Sequence, residues 1–361
     1  MGPFSSLQSL ITFNRRTRYA QWVFLVGCLT IPACTGHNDP IVEIALHPTK
    51  PEILYVATNA YIYKTRNTGT TWENVSRGMS HSRVIALAID PLLPANVYAG
   101  TKGDAIYKSY AGGQGWTSQR TGLDGITITS VVHELVFVPG SSTHLFAATS
   151  MGVYESEDGG ETWVKRMNGM IEVLMVITLA IDPQQPQTMY AGTSGGVFKS
   201  INGGRLWKKV NNGLVAPEVL KSSRALSVTK IKVDPHNSMT IYTATLEGLF
   251  KTTDSGNSWI KIGESLPDQM LSDLLLDPFT PNTVYLASRK GIHKSLDAGD
   301  TWHAMNTGLE SLNIRAMAIN PHIQNLLYAG TNGTGLYRSQ NGGETWEAVP
   351  LTIADHTIPP R

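Results

Sequence analysis

Apolar and polar residues alternate along this chain in short runs of four to six residues, broken by proline, glycine and Asx residues, and the pattern returns on a fixed beat. Residues 176–210 show one beat. Thr178 to Ile181 reads as a first strand stopped by Asp182-Pro183, Thr188 to Gly192 as a second, Gly196 to Ser200 as a third and Leu206 to Val210 as a fourth. Proline removes a ladder donor and restricts the residue before it, which is why the first strand ends there. Both faces of most of these strands are apolar, as expected of sheets covered on each side.

An eight-residue box links the third strand to the fourth. It runs Ser156-Glu157-Asp158-Gly159-Gly160-Glu161-Thr162-Trp163 in one copy and recurs seven times, closing on Trp72, Trp116, Trp163, Trp207, Trp259, Trp302 and Trp346. Successive box tryptophans are 44, 47, 44, 52, 43 and 44 residues apart. Four-stranded units of that period are the mark of β-propeller blades, so the chain is predicted to be all-β, a seven-bladed propeller of antiparallel four-stranded blades around a central channel. The units begin in phase at Ile41 and end near Val349, with residues 350–361 as a C-terminal tail.

The box reads as a structural device. Its fifth position is always glycine (Gly69, Gly113, Gly160, Gly204, Gly256, Gly299, Gly343), which points to a backbone angle other residues resist. Its third position alternates among Asn67, Ala111, Asp158, Asn202, Asp254, Asp297 and Asn341. Asp and Asn share the capacity to form an Asx turn but not charge, so the alternation favours turn formation over acid–base chemistry or calcium binding. The tryptophans are expected to wedge between blades. A lysine near the end of most third strands (Lys64, Lys108, Lys199, Lys251, Lys294, with Arg338 in the last) is expected at an outer edge, discouraging sheet-to-sheet aggregation.

The amino terminus has a different texture. Arg15, Arg16 and Arg18 precede a ten-residue apolar run, residues 22–31, too short to span a bilayer as a helix. Together with Ala33 they predict a secretory signal over residues 1–33. Ile31-Pro32-Ala33-Cys34 resembles a bacterial lipobox, although Pro32 departs from the usual pattern; Cys34 would then be lipidated, residues 34–40 would form a tether, and the domain would sit at a membrane surface without crossing it. Removing residues 1–33 leaves 26 basic against 28 acidic residues, no field for nucleic acid. Both cysteines, Cys28 and Cys34, lie outside the repeats, which excludes disulfides and zinc–thiolate sites there. No metal or cofactor motif stands out.

Candidate chemistry is confined to positions where the residue type changes from unit to unit. Four residues before each first-strand stop the units present Glu43, Ala86, Glu134, Thr178, Lys230, Asp273 and Ala316. Glu43, Glu134 and Asp273 are the candidate catalytic carboxylates, a pair of which could cleave a glycoside; a water-filled channel that accepts polar residues explains the same ring without catalysis. Arg83, Lys230, Arg224, Arg289 and Arg315 are the candidate binding face, a basic rim of the kind enriched at protein interfaces.

The box, the Gly-Val-Phe-Lys type strand before it and the Asp-Pro…Tyr-Ala-Gly-Thr strand pair resemble the Asp-box (BNR) repeat families, and most the photosystem II stability/assembly factor group of seven-bladed propellers. Xyloglucanase-type hydrolases carry a similar unit in two tandem propellers; sialidases and sortilin-type receptors use the box too. The first resemblance implies an exported, non-catalytic factor that binds a protein partner in the cell envelope. The second implies a glycoside hydrolase or a polysaccharide-binding protein, although the Arg-Ile-Pro segment that sialidases carry near their start does not occur here.

Overall fold

The computed structural model describes residues 39–79, 83–123, 125–127, 129–171, 175–214, 226–267 and 270–352. Among them every regular element is a β-strand, and the strands form seven four-stranded antiparallel sheets, each drawn from one uninterrupted stretch of chain. These blades span residues 41–74, 83–119, 132–165, 176–209, 228–262, 271–304 and 314–349. In blade 1 the order is β1 (Ile41–Leu46), β2 (Leu54–Thr58), β3 (Ile62–Thr65) and β4 (Glu73–Asn74), and the other six repeat it. The predicted seven-bladed propeller is therefore the fold. Fourth strands are shorter than the sequence suggested, only two or three residues each, because they form the exposed rim.

The first strands of successive blades touch one another in a closed ring, with that of blade 7 (Ile314–Ile319) against β1. Second and third strands are buried almost throughout, because a neighbouring blade covers each face. The apolar clusters accordingly lie at the junctions: Trp116 packs with Tyr55, Val75 and Val97, and Trp72 packs with Leu336 and Val349 of blade 7. Four box tryptophans donate their indole N–H to a backbone carbonyl of the preceding blade or of the loop after it, as Trp259 does to Val210 at 2.8 Å.

In all seven boxes the opening Ser or Thr hydroxyl accepts the N–H of the fifth-position glycine at 2.8–3.1 Å. The third-position Oδ1 accepts the N–H of position seven at 2.8–3.0 Å whether it belongs to Asn67, Asn202 and Asn341 or to Asp158, Asp254 and Asp297. The glycine is required twice over at Gly69: its φ is +94°, and a Cβ there would meet Val349 Cγ1 at 2.4 Å.

The third-strand lysines are not an aggregation guard at an outer edge. They reach across the junctions. Lys64, Lys199, Lys251 and Lys294 donate to the fourth-position carbonyl of the next blade's box (Gly112, Ser255, Ala298 and Gly342) at 2.9–3.0 Å. The second-strand tyrosine donates to the same carbonyl: Tyr55, Tyr190, Tyr242 and Tyr285 at 3.1–3.3 Å. Each ammonium also lies over its own blade's tyrosine ring. In blade 2, Tyr98 keeps the carbonyl of Gly159 at 2.8 Å while Lys108 pairs with Glu161 at 2.9 Å.

The ring closes without a shared sheet. Trp72 N–H donates to Thr352 O at 3.0 Å, as Trp163, Trp207, Trp259 and Trp346 donate to loop carbonyls after the preceding blade, and Leu351 is buried beside Ile41 and Trp72. Arg338 reaches Thr68 O at 3.4 Å, and the His322 ring meets Pro48 O.

Candidate functional site

The register of each first strand slips by one residue near its start, between Ile41 and Glu43 in β1 and at the matching place in every other blade. The extra residue is Val42, Ile85, His133, Ile177, Thr229, Ser272 or Arg315, and the ring position comes immediately after it. A bulge re-aims the side chains around it. In this fold it sets Glu43, Ala86, Glu134, Lys230 and Asp273 around one central cavity of about 330 Å³, joined by Lys232 and by apolar residues such as Leu46 and Met317.

The shared repeat position gathers these carboxylates in the sequence but does not reveal their partners. Glu134 Oε2 accepts the backbone N–H of Leu179, in the first strand of blade 4, at 2.7 Å. Asp273 Oδ2 accepts that of Met317, in the first strand of blade 7, at 2.8 Å, and its Oδ1 accepts from Leu274 at 2.9 Å. Lys230 Nζ lies 3.6 Å from Asp273, and Lys232 Nζ 3.7 Å from Glu134. Lys230 is therefore a channel residue paired with a carboxylate, not part of an open basic rim. Lys232 was missed, although it lies two residues on from Lys230 and so on the same side of the strand. Asp273 is the chief reason the Lys230 ammonium is held above its ordinary range, against the effect of burial.

Glu43 differs from the other two. Its Oε1 accepts only from Ile44 N, at 3.2 Å, among the bonds it makes. Burial is the main cause that pushes its carboxyl up, to about 7; Asp273 and Glu134 add to the rise and Lys230 opposes it.

A second group forms where Arg315, at the bulge of blade 7, meets the fields of Arg83, at the start of the first strand of blade 2, and of Arg289, in the turn between second and third strands of blade 6. Burial, then Arg83 and Arg289, lower the pKa of Arg315. Guanidinium groups suit the recognition of carboxylates and phosphates. Arg224 and Cys34 lie outside the described residues.

No family model matches the chain. Among curated proteins, an 85-residue stretch is 35% identical to a xyloglucanase of Hypocrea jecorina, covering 23% of this chain and 10% of that protein. The chain thus spans a small part of that relative. Among solved structures, the GH74 xyloglucanase of Xanthomonas campestris matches with a TM-score of 0.68 at 16% identity, over 87% of this chain and 55% of that one. The structure of YCF48 bound to D1 peptide matches with a TM-score of 0.61 at 18% identity, over 84% of this chain and 93% of that one. At such identities the likeness is one of fold, and the chain is a seven-bladed β-propeller similar in architecture both to a xyloglucanase and to YCF48.

Proposed function

We propose that this chain is an exported, lipid-anchored, non-catalytic propeller that binds a protein partner, as an assembly factor for an envelope or membrane complex. The observation that carries the reading is the employment of the channel carboxylates. Glu134 and Asp273 each hold a backbone N–H of the following blade and face a lysine, so their charges serve to join first strands. A general acid–base pair needs carboxylates free to exchange protons with a substrate. Arg83 and Arg315 supply what a partner would contact, an acidic or carboxylate-terminated peptide segment. The likeness in fold to YCF48, whose structure holds a D1 peptide, supports a peptide ligand, and the lipobox-like segment ending at Cys34 supports the anchor.

The test is affinity capture from the envelope of its own host, with the wild-type chain beside a variant carrying Arg83→Glu and Arg315→Glu. A partner held by the first and lost from the second is the expected result. Turnover of a glycan by the purified protein, abolished by Glu134→Gln or Asp273→Asn, would overturn the reading. One observation favours that second possibility, a polysaccharide-active propeller: Glu43, with its carboxyl near 7, is poised as a general acid would be. Glycan turnover lost in Glu43→Gln would establish it.

A further inference from the structure

Blade 3 breaks the junction chemistry of the other six. Where they carry Lys64, Lys108, Lys199, Lys251, Lys294 and Arg338, it carries Glu155, and Phe146 stands in place of the second-strand tyrosine paired with it. Glu155 is only 4% exposed. A carboxylate cannot donate to the neighbouring box carbonyl, so the junction between blades 3 and 4 loses both of its usual donors and gains a buried negative charge instead.

What surrounds that charge is donor chemistry. Glu155 Oε1 lies 2.8 Å from His144 Nε2, and Oε2 accepts from Arg166 Nε at 2.5 Å. Glu157, exposed at the second box position, completes a set in which one ligand atom from each of His144, Glu155 and Glu157 lies within 4.8 Å of the others. Among the described residues no other three His, Cys, Asp or Glu side chains converge in this way. The set is also positioned from behind. The His144 ring rests against Phe146, centroids 5.2 Å apart, and its backbone N–H donates to Ser141 Oγ at 3.0 Å. Arg166 occupies Oε2 and leaves Oε1 turned towards His144. Metal-binding carboxylates and imidazoles are commonly oriented by such outer partners.

We propose that His144 Nε2 and the carboxylates of Glu155 and Glu157 bind a first-row divalent cation of the Zn²⁺ class, with one position left open. An imidazole and two carboxylates are a known donor set for such ions, and Zn–N and Zn–O bonds of about 2.0–2.2 Å fit a cluster this compact after a small opening of the His144–Glu155 contact. With Arg166 the site carries a formal charge of −1, which a divalent ion reverses. The ion would restore at this junction the positive charge that lysine or arginine supplies at the other six.

The experiment is titration of Zn²⁺ into the untagged mature chain by calorimetry, with a parallel Co²⁺ titration followed by visible absorption. One ion per chain is expected, with a Co²⁺ spectrum of low-coordinate type. His144→Ala and Glu157→Gln, both at partly or fully exposed positions, each weaken binding about tenfold or more. Glu155→Lys, which rebuilds the lysine of the other blades, abolishes it. Absence of binding at 100-fold excess of ion over chain, or binding that His144→Ala and Glu157→Gln leave unchanged, overturns the proposal; these two variants keep the test decisive even if Glu155→Lys fails to fold.

Discussion

Glu43 offers a test of how the channel stores electrostatic free energy. Its carboxyl is raised from 4.5 to about 7, chiefly by burial. Every tenfold change in proton affinity corresponds to about 1.4 kcal/mol, so the ionised form is disfavoured in the folded chain by up to about 3 kcal/mol. The sign follows from proton counting. Between pH 4.5 and 7 the folded chain holds a proton that the unfolded chain has released, so stability falls as pH rises through that window and levels off above it. Glu43→Gln keeps an acceptor for Ile44 N–H and removes the ionisation. The variant and the wild type should be equally stable near pH 4, and the variant should gain progressively, by up to about 3 kcal/mol, towards pH 8. Urea unfolding followed by tryptophan fluorescence at a series of pH values reads this, and comparing the two chains at each pH cancels the other titrating groups. A difference independent of pH, or a variant less stable than wild type at pH 8, would refute the reasoning: Lys230 would then outweigh burial.

The junctions make three further predictions. Tyr98→Phe removes a hydroxyl that donates to Gly159 O at 2.8 Å and should cost about 1 kcal/mol, whereas Tyr328→Phe, whose buried hydroxyl has no partner among the described residues, should be neutral or slightly stabilising; equal effects in thermal unfolding would contradict the latch. Gly122→Ala places a Cβ 1.9 Å from Trp163 O at a φ of +79°, while Gly140→Ala has the same φ and open space, so the first should lower Tm well beyond the second, for which about 1 kcal/mol of backbone strain is expected. Asp254→Asn retains the Oδ1 that accepts Ser258 N–H at 2.9 Å and should change stability by less than about 1 kcal/mol, against about 1–2 kcal/mol for Asp254→Ala; a charge-dependent role would make the two variants alike.

The architecture was legible because its signals are local and repeated: the left-handed glycine, the Asx side chain and the strand-ending proline each act within a few residues. The junction latch was not, since nothing in the run containing Lys64 says that its side chain crosses to Gly112, 48 residues on. The ring residues were legible as a set, because they share a repeat position. Their pairing was hidden, because Glu134 and Asp273 are satisfied by strands 45 and 44 residues further along. The His144–Glu155–Glu157 cluster had a readable trace, a glutamate in a column otherwise filled by lysine and arginine. The adjacency of His144 needed the pairing of Phe146 with Glu155 to be known.

Because each sheet is drawn from one unbroken stretch, the unit that repeats in the sequence is also the unit that pairs in space. A gene segment duplicated or deleted at a repeat boundary would therefore add or remove a whole blade and sever no sheet. Propellers whose last sheet borrows a strand from the opposite end lack that freedom. Here the ring is closed by the contacts of Trp72, Arg338 and Leu351 at the seam, and that is the place where a change in copy number would first be felt.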